Sequence, residues 1–251
     1  MRFDFQTYLP QLYDDEPFGL NELTALEDEA GVELFVVVPE AAIQPDNSGL
    51  AERLKDQPRM VGCAAVNPAL GHGAVEEFER AVGELGFRGL RLFPADHGYP
   101  VDGEMVRPLM EKAQDLGVPV TVDGCRENCA PVQIARMAGW FPEVPVIVDV
   151  GFRPGAPPAS LGQALPPEGR IAETALETPN IYLGLTAMAA VELYLIKRLL
   201  TVVSPQRLVF GSNAPYGIPA IAVEGFRLAQ LGDQAEEGVL GETLRQLYRL
   251  D

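Results

Sequence analysis

The sequence predicts a single-domain α/β protein, a (β/α)8 TIM barrel spanning residues 1–251. Three observations predict it. Short apolar, β-branched runs recur eight times, at residues 2–6, 34–38, 60–66, 87–93, 118–123, 144–150, 180–185 and 207–211. Amphipathic stretches of helical period alternate with them. A length of 251 residues is ordinary for one such barrel.

Several runs are nearly continuous hydrophobics, such as LFVVV at 34–38 and VPVIV at 144–148. Strands buried on both faces read this way, as in a parallel sheet covered by helices. The stretch 74–85 places Val75, Phe78, Val82 and Leu85 on one face and an i,i+4 pair, Glu76 and Arg80, on the other. Leu20, Leu23, Leu26 and Ala30 repeat the pattern over 20–30, with Asn21 as the candidate cap. Helix 107–116 carries Pro108 near its start and Gly117 at its end. Further helices are expected over 191–203, 220–231 and 237–250. The Pro- and Gly-rich segment 153–169 falls after the sixth strand and reads as a long loop over the barrel mouth. An open doubly wound sheet is the alternative, but no G-x-G-x-x-G turn follows the first strand.

Lys and Arg number 19 against 36 Asp and Glu, a formal net charge of −17. Such a surface repels phosphate backbones and anionic lipid, so neither nucleic acid nor membrane is an expected partner. Three cysteines, Cys63, Cys125 and Cys129, form no disulfide framework. With no apolar leader and no run of about 18 apolar residues, a cytoplasmic location is expected.

Barrel chemistry sits at the C-terminal ends of the strands. Those ends supply Gln6 and Tyr8, then Glu40, Asn67, Arg91, Asp123, Asp149, Thr186 and Asn213. Asp123 and Asp149 end neighbouring strands. Two close carboxylates need a shared proton, a cation or an arginine, and Arg91, Arg126 and Arg153 are at hand. Arg91 suits the bidentate grip of a substrate carboxylate, or a salt bridge to Asp123. His97 follows the fourth strand and either overhangs the mouth as base or ligand or is a solvated loop residue. His72 reads as local structure and Cys63 as core. Cys125 and Cys129, four apart, offer a thiol nucleophile beside Arg126 if a helix starts that early; incidental cysteines are the simpler reading.

Five segments carry a resemblance: FDFQTYL at 3–9, GFRGLRLFP at 86–94, VPVTVDG at 118–124, VPVIVDVG at 144–151 and LVFGSNAPY at 208–216. In order and spacing they resemble the amidohydrolase-related branch of the amidohydrolase superfamily, from residue 2 to the closing LRQLYRL. The resemblance implies a divalent metal at the mouth. Its ligands are a His-x-His pair after strand one, a His ending each of strands five and six, and an Asp after strand eight that shuttles a proton. At these positions the chain has Gln6 and Tyr8, Asp123, Asp149, and Asn213. All five depart from the pattern.

Zinc takes imidazole, thiolate or carboxylate ligands at about 2.0–2.3 Å. Gln6 is a weak amide ligand, Tyr8 stays a phenol near neutral pH, and Asn213 cannot accept a proton from water. No metal or other cofactor is therefore expected, and the zinc-hydroxide mechanism has no residues to run on. A divalent cation is the alternative: Mg2+ or Mn2+ on the oxygen donors Gln6, Asp123, Asp149 and Asn213, or Zn2+ more weakly.

The resemblance implies hydrolysis of C–N or C–O bonds, lactone opening or non-oxidative decarboxylation of small, often cyclic, acids, and some lactonases of the family need no metal. Two readings follow. One is a non-catalytic relative that binds a small molecule. The other is an active hydrolase, lactonase or decarboxylase, either metal-independent or dependent on Mg2+ or Mn2+. Its catalytic set would be Asp123, Asp149, Asn213 and His97, with Asp123 or Asp149 as general base. Arg91, Gln6, Tyr8, Arg153 and Tyr216 would meet the substrate. Barrels of the family often pair, which leaves a homo-oligomer open.

Overall fold

The apolar runs form strands in the expected order. A computed structural model of the chain describes residues 1–124, 126–150, 171–186, 196–197 and 199–250. Its barrel strands are β1 (Phe3–Tyr8), β2 (Leu34–Val38), β3 (Met60–Gly62, resumed at Ala64–Ala65), β4 (Leu90–Leu92), β5 (Val120–Asp123), β6 (Val146–Asp149), β7 (Ile181–Thr186) and β8 (Leu208–Gly211). Neighbours pair in parallel from β1 through β8. The expected strand 60–66 is interrupted at Cys63 yet bonds both neighbours there: Cys63 N donates to Val37 O at 3.0 Å, and Ala64 N to Gly89 O at 2.9 Å. At the seam, Asn213 N donates to Gln6 O at 3.0 Å and Tyr8 N to Ala214 O at 2.7 Å. The sheet thus closes on itself.

Two apolar layers follow from the strand alternation. Phe3, Phe5, Val36, Cys63, Ile147 and Val209 fill the interior, joined by Leu244 and Tyr248 from the C-terminal helical segment. Phe5 has room only because two facing positions lack side chains: a Cβ at Gly184 or Gly211 would come within 2.3 Å or 2.5 Å of its ring. The outer layer buries Leu23, Phe78, Leu109, Ile134 and Phe226 of the helices against the strands. Each such side chain contributes about 1.5–3 kcal/mol when fully buried.

The helices are α1 (Leu20–Glu29), α2 (Asn47–Leu54), α3 (His72–Gly83), α4 (Arg107–Leu116), α5 (Pro131–Trp140), α6 (Ile171–Glu177) and α7 (Pro219–Ala229). α1 is capped at Gly19, whose N–H donates to Glu22 Oε2 at 2.9 Å; Asn21, the expected cap, lies inside the first turn. α4 matches its expected span, and Gly117 ends it at φ +66° with its N–H on Ala113 O. The expected helix 237–250 starts earlier and is irregular: Asp233–Glu237, a π-helical turn at Gly238–Glu242, then Thr243–Leu247. The loop 153–169 and residues 191–195 and 198 of the expected helix 191–203 lie outside the described residues. Among the described residues no helix is long and apolar enough to cross a membrane.

Candidate functional site

The strand ends deliver a buried polar cluster at the C-terminal mouth. Asp123 and Asp149 are register partners at the ends of β5 and β6. Gln6 from β1 donates through Nε2 to Asp149 Oδ2 at 2.8 Å and to Asn213 Oδ1 at 3.0 Å. Thr186, at the end of β7, donates its hydroxyl to Asp149 Oδ1 at 2.5 Å. All five residues are buried. Asn213 sits just past β8 at φ +63°, a left-handed backbone that asparagine tolerates better than most residues.

Arg91 on β4 enters this cluster from below. Its Nη2 donates to Asp123 Oδ1 and lies 3.7 Å from Asp149 Oδ2. The guanidinium is fully buried, and its Nε and Nη1 have no hydrogen-bond partner. Phe93 partly compensates, with its ring centroid 5.1 Å from Cζ. Of the two roles expected of Arg91, the salt bridge to Asp123 forms, and full burial keeps the remaining donors from solvent.

Above the cluster, Arg126 donates through Nη1 to Asp123 Oδ2 at 2.9 Å and to Asp96 Oδ2 at 3.0 Å. Each oxygen of Asp123 and Asp149 thus accepts a hydrogen bond. Sequence reasoning does not single out Asp96, which lies in the helical turn Pro94–His97 after β4, and places Thr186 in the ring without a role; its polar type at a strand end is the signal Thr186 carries. His97 bonds the loop after β2 and makes no hydrogen bond to the cluster: its Nε2 lies 2.7 Å from Ala42 O, so that nitrogen carries the proton, and its ring packs on Phe93 and Tyr99. Tyr8 is buried, with its ring 5.7 Å from Tyr216. Tyr216 is 43% exposed and donates its hydroxyl to Glu40 Oε1 at 3.0 Å. Burial and Glu40 push that phenol up to about 12.

Glu40 and Tyr216 therefore mark the rim, with Tyr13 of the short hairpin after β1 completing an aromatic edge, 5.8 Å from Tyr216. Arg153 and Cys125 lie outside the described residues. Cys129 is buried and precedes α5, which begins at Pro131, so the condition for the thiol reading, a helix that takes in Cys129, is not met. Cys63 is core, as expected, and burial pushes its thiol up to about 12. His72 opens α3, 3.3 Å from Glu76. Among the described residues no group of three or more His, Cys, Asp or Glu is arranged to hold a metal ion.

A closed parallel barrel with acids, amides and an arginine at the C-terminal strand ends places the chain in the class of (β/α)8 barrels. A sequence profile of the family described as amidohydrolase matches residues 4–250, and the chain belongs to that family. No protein of curated function matches it in sequence. Its fold is shared with an uncharacterised TIM-barrel protein from Bordetella bronchiseptica (TM-score 0.79, 19% identity, 99% of this chain and 98% of that one). It is shared too with a 5-carboxyvanillate decarboxylase from Sphingomonas paucimobilis (TM-score 0.75, 15% identity, 100% and 99%). A dihydroxybenzoic acid decarboxylase from a Polaromonas species, bound to manganese and the inhibitor 2-nitroresorcinol, is similar as well (TM-score 0.73, 18% identity, 99% and 97%).

Proposed function

We propose that the chain is a small-molecule-binding member of the amidohydrolase family that works without a resident metal ion. One observation carries this: the Arg91 guanidinium is bonded to Asp123 and lies 3.7 Å from Asp149. It supplies the positive charge that two buried carboxylates need, in place of a cation or a shared proton. The donor set does not fit a divalent ion. Gln6 turns its amide nitrogen, not its oxygen, toward Asp149 and Asn213. A metal at Gln6, Asp123, Asp149 and Asn213 would have to expel Arg91.

A ligand meets Arg126 and Tyr216 first, because Arg91 is sealed. Arg126 is 29% exposed and cationic, and Tyr216 offers an open aromatic face. A small acid with an aromatic or cyclic body is the class this pairing suits. Gln6, Tyr8 and Arg91 then act behind the contact surface, and Arg153 keeps its expected place among the ligand contacts.

The test is metal and ligand binding on purified protein. Dialysis against Mn2+, Mg2+ or Zn2+ is expected to leave well under one equivalent bound, and hydroxybenzoates to raise Tm without added metal. One equivalent of Mn2+ retained by the wild type and lost in Asp149→Asn would overturn the reading.

Likeness in fold to decarboxylases favours a second reading, an active enzyme on such acids. The bond from ring carbon to carboxylate would break, CO2 would leave, and the carbon would take a proton that Asp123 or Asp149 has first accepted from solvent. Metal-free CO2 release from 2,6-dihydroxybenzoate or 5-carboxyvanillate, abolished by Asp149→Asn, would select this reading.

A further inference from the structure

Two buried acids lie outside the mouth, in the layer between the barrel and α1. Asp4 on β1 and Glu27 on α1 are both fully buried. A layer built for stability alone would hold apolar side chains here, since burying a carboxyl group costs free energy unless it is bonded. Asp4 is bonded in a specific way. Its Oδ1 accepts from Gln6 N at 2.9 Å, and its Oδ2 accepts from Ser212 N at 2.9 Å.

Those two amides flank the seam at which β1 meets β8. Gln6 carries the side chain that holds Asp149 and Asn213, and Ser212 immediately precedes Asn213. The register of β1 against β2 shifts between Asp4 and Thr7, so the backbone at Gln6 leaves the regular ladder. Asp4 supplies the acceptor that the Gln6 amide would otherwise lack. Glu27 stands beside Asp4 and Ser212, and neither of its oxygens has a partner of good geometry. Burial, then the charge of Asp4, pushes it up to about 10, so it stays protonated and adds no second charge to the seam.

We propose that Asp4 is a positioning residue for the mouth: its carboxylate, spanning the backbone amides of Gln6 and Ser212, fixes the Gln6–Asn213 side-chain pair that holds Asp149. This rests on the proposed function only in taking the mouth as the working site.

The test is NMR on the 15N-labelled full chain without ligand. The Gln6 and Asn213 side-chain amide signals are assigned by their loss in Gln6→Glu and Asn213→Asp. Asp4→Asn keeps the size of the side chain but leaves one acceptor for two amides. It is expected to shift both side-chain signals and to quicken hydrogen exchange at one or both of the Gln6 and Ser212 amides roughly tenfold, the equivalent of one hydrogen bond. Exchange in β6 and β7 should stay unchanged. Glu27→Gln, which mimics the protonated acid, should leave the two side-chain signals in place. Unmoved Gln6 and Asn213 signals in folded Asp4→Asn would overturn the proposal, as would exchange that quickens equally in every strand. If Asp4→Asn does not fold, wild-type exchange decides. Gln6 and Ser212 amides as slow as those of β6 sustain the proposal, and either one as fast as the exposed Asp14–Asp15 turn defeats it. Neither readout depends on whether the mouth binds a metal or an acid, so the proposed function can fail while this inference stands.

Discussion

Arg91 and Asp123 form a buried ion pair across β4 and β5, joined through the guanidinium Nη2, with neither side chain open to solvent. Their backbones are offset: Arg91 is in register with Thr121, so its side chain reaches up toward the strand ends to meet Asp123. An internal cation thereby stands among the side chains that the family pattern gives to metal ligation.

Removing that cation should be costly. Arg91→Met leaves Asp123 with Arg126 and takes the nearby guanidinium from Asp149, and a loss of about 3–5 kcal/mol is expected in urea unfolding. The double variant Arg91→Met/Asp123→Leu should recover part of it. Strict additivity of the two single changes would show that the pair is not coupled.

Gly184→Ala should destabilise by overpacking. The new methyl would lie within 2.3 Å of the Phe5 ring, and the barrel interior offers that ring little room to move. About 1–3 kcal/mol is expected, measured by thermal unfolding. Phe5→Leu in the same chain should absorb most of the clash, so the double variant falls short of the sum.

Asn213 is held at φ +63° while its side chain accepts from Gln6 Nε2. Asn213→Gly and Asn213→Ala both lose that acceptor, but only alanine carries the left-handed strain. Alanine should be the less stable of the two by about 1–2 kcal/mol. Equal stabilities would mean that the backbone relaxes out of that region.

Stability should depend on pH through Glu27. Its ordinary value is 4.5, and in the folded chain burial and the charge of Asp4 raise it to about 10, with Arg59 pulling down and Asp28 pushing up more weakly. Asp4, raised by burial to about 7, acts in the same sense over a narrower range. An acid raised on folding keeps a proton that the unfolded chain has released. Its contribution is therefore intact below about 4.5 and is lost as pH climbs toward about 10. The ceiling is roughly 1.4 kcal/mol per pH unit for one retained proton. Glu27→Gln has no proton to lose, so urea midpoints between pH 6 and 9 should fall less steeply than in the wild type. Parallel curves would place Glu27 in contact with water.

Much of the fold was legible because barrel strands are apolar on both faces and leave long unbroken runs, as at 34–38 and 144–148. Helix α4 was readable to the residue, since Pro108 and Gly117 fix backbone angles locally. Helices α2, α5 and α6 were not among the expected ones. The cap of α1 fell to Gly19 because a glutamate three residues on could reach back to it, a choice between neighbours that spacing leaves open. The ring of polar strand ends was legible too, and the partners within it were not.

The order of residues alone determined the barrel, the acidic surface and the replacement of all five family ligands by Gln6, Tyr8, Asp123, Asp149 and Asn213. Local periodicity and residue chemistry suffice for those. Only the tertiary structure decided that Arg91 turns onto Asp123, that His97 bonds Ala42 O, and that Asp4 ties Gln6 to Ser212. Those contacts join segments tens to hundreds of residues apart, and those of Arg91 and Asp4 form because a closed barrel seals these polar groups away from water and leaves them one another to bond.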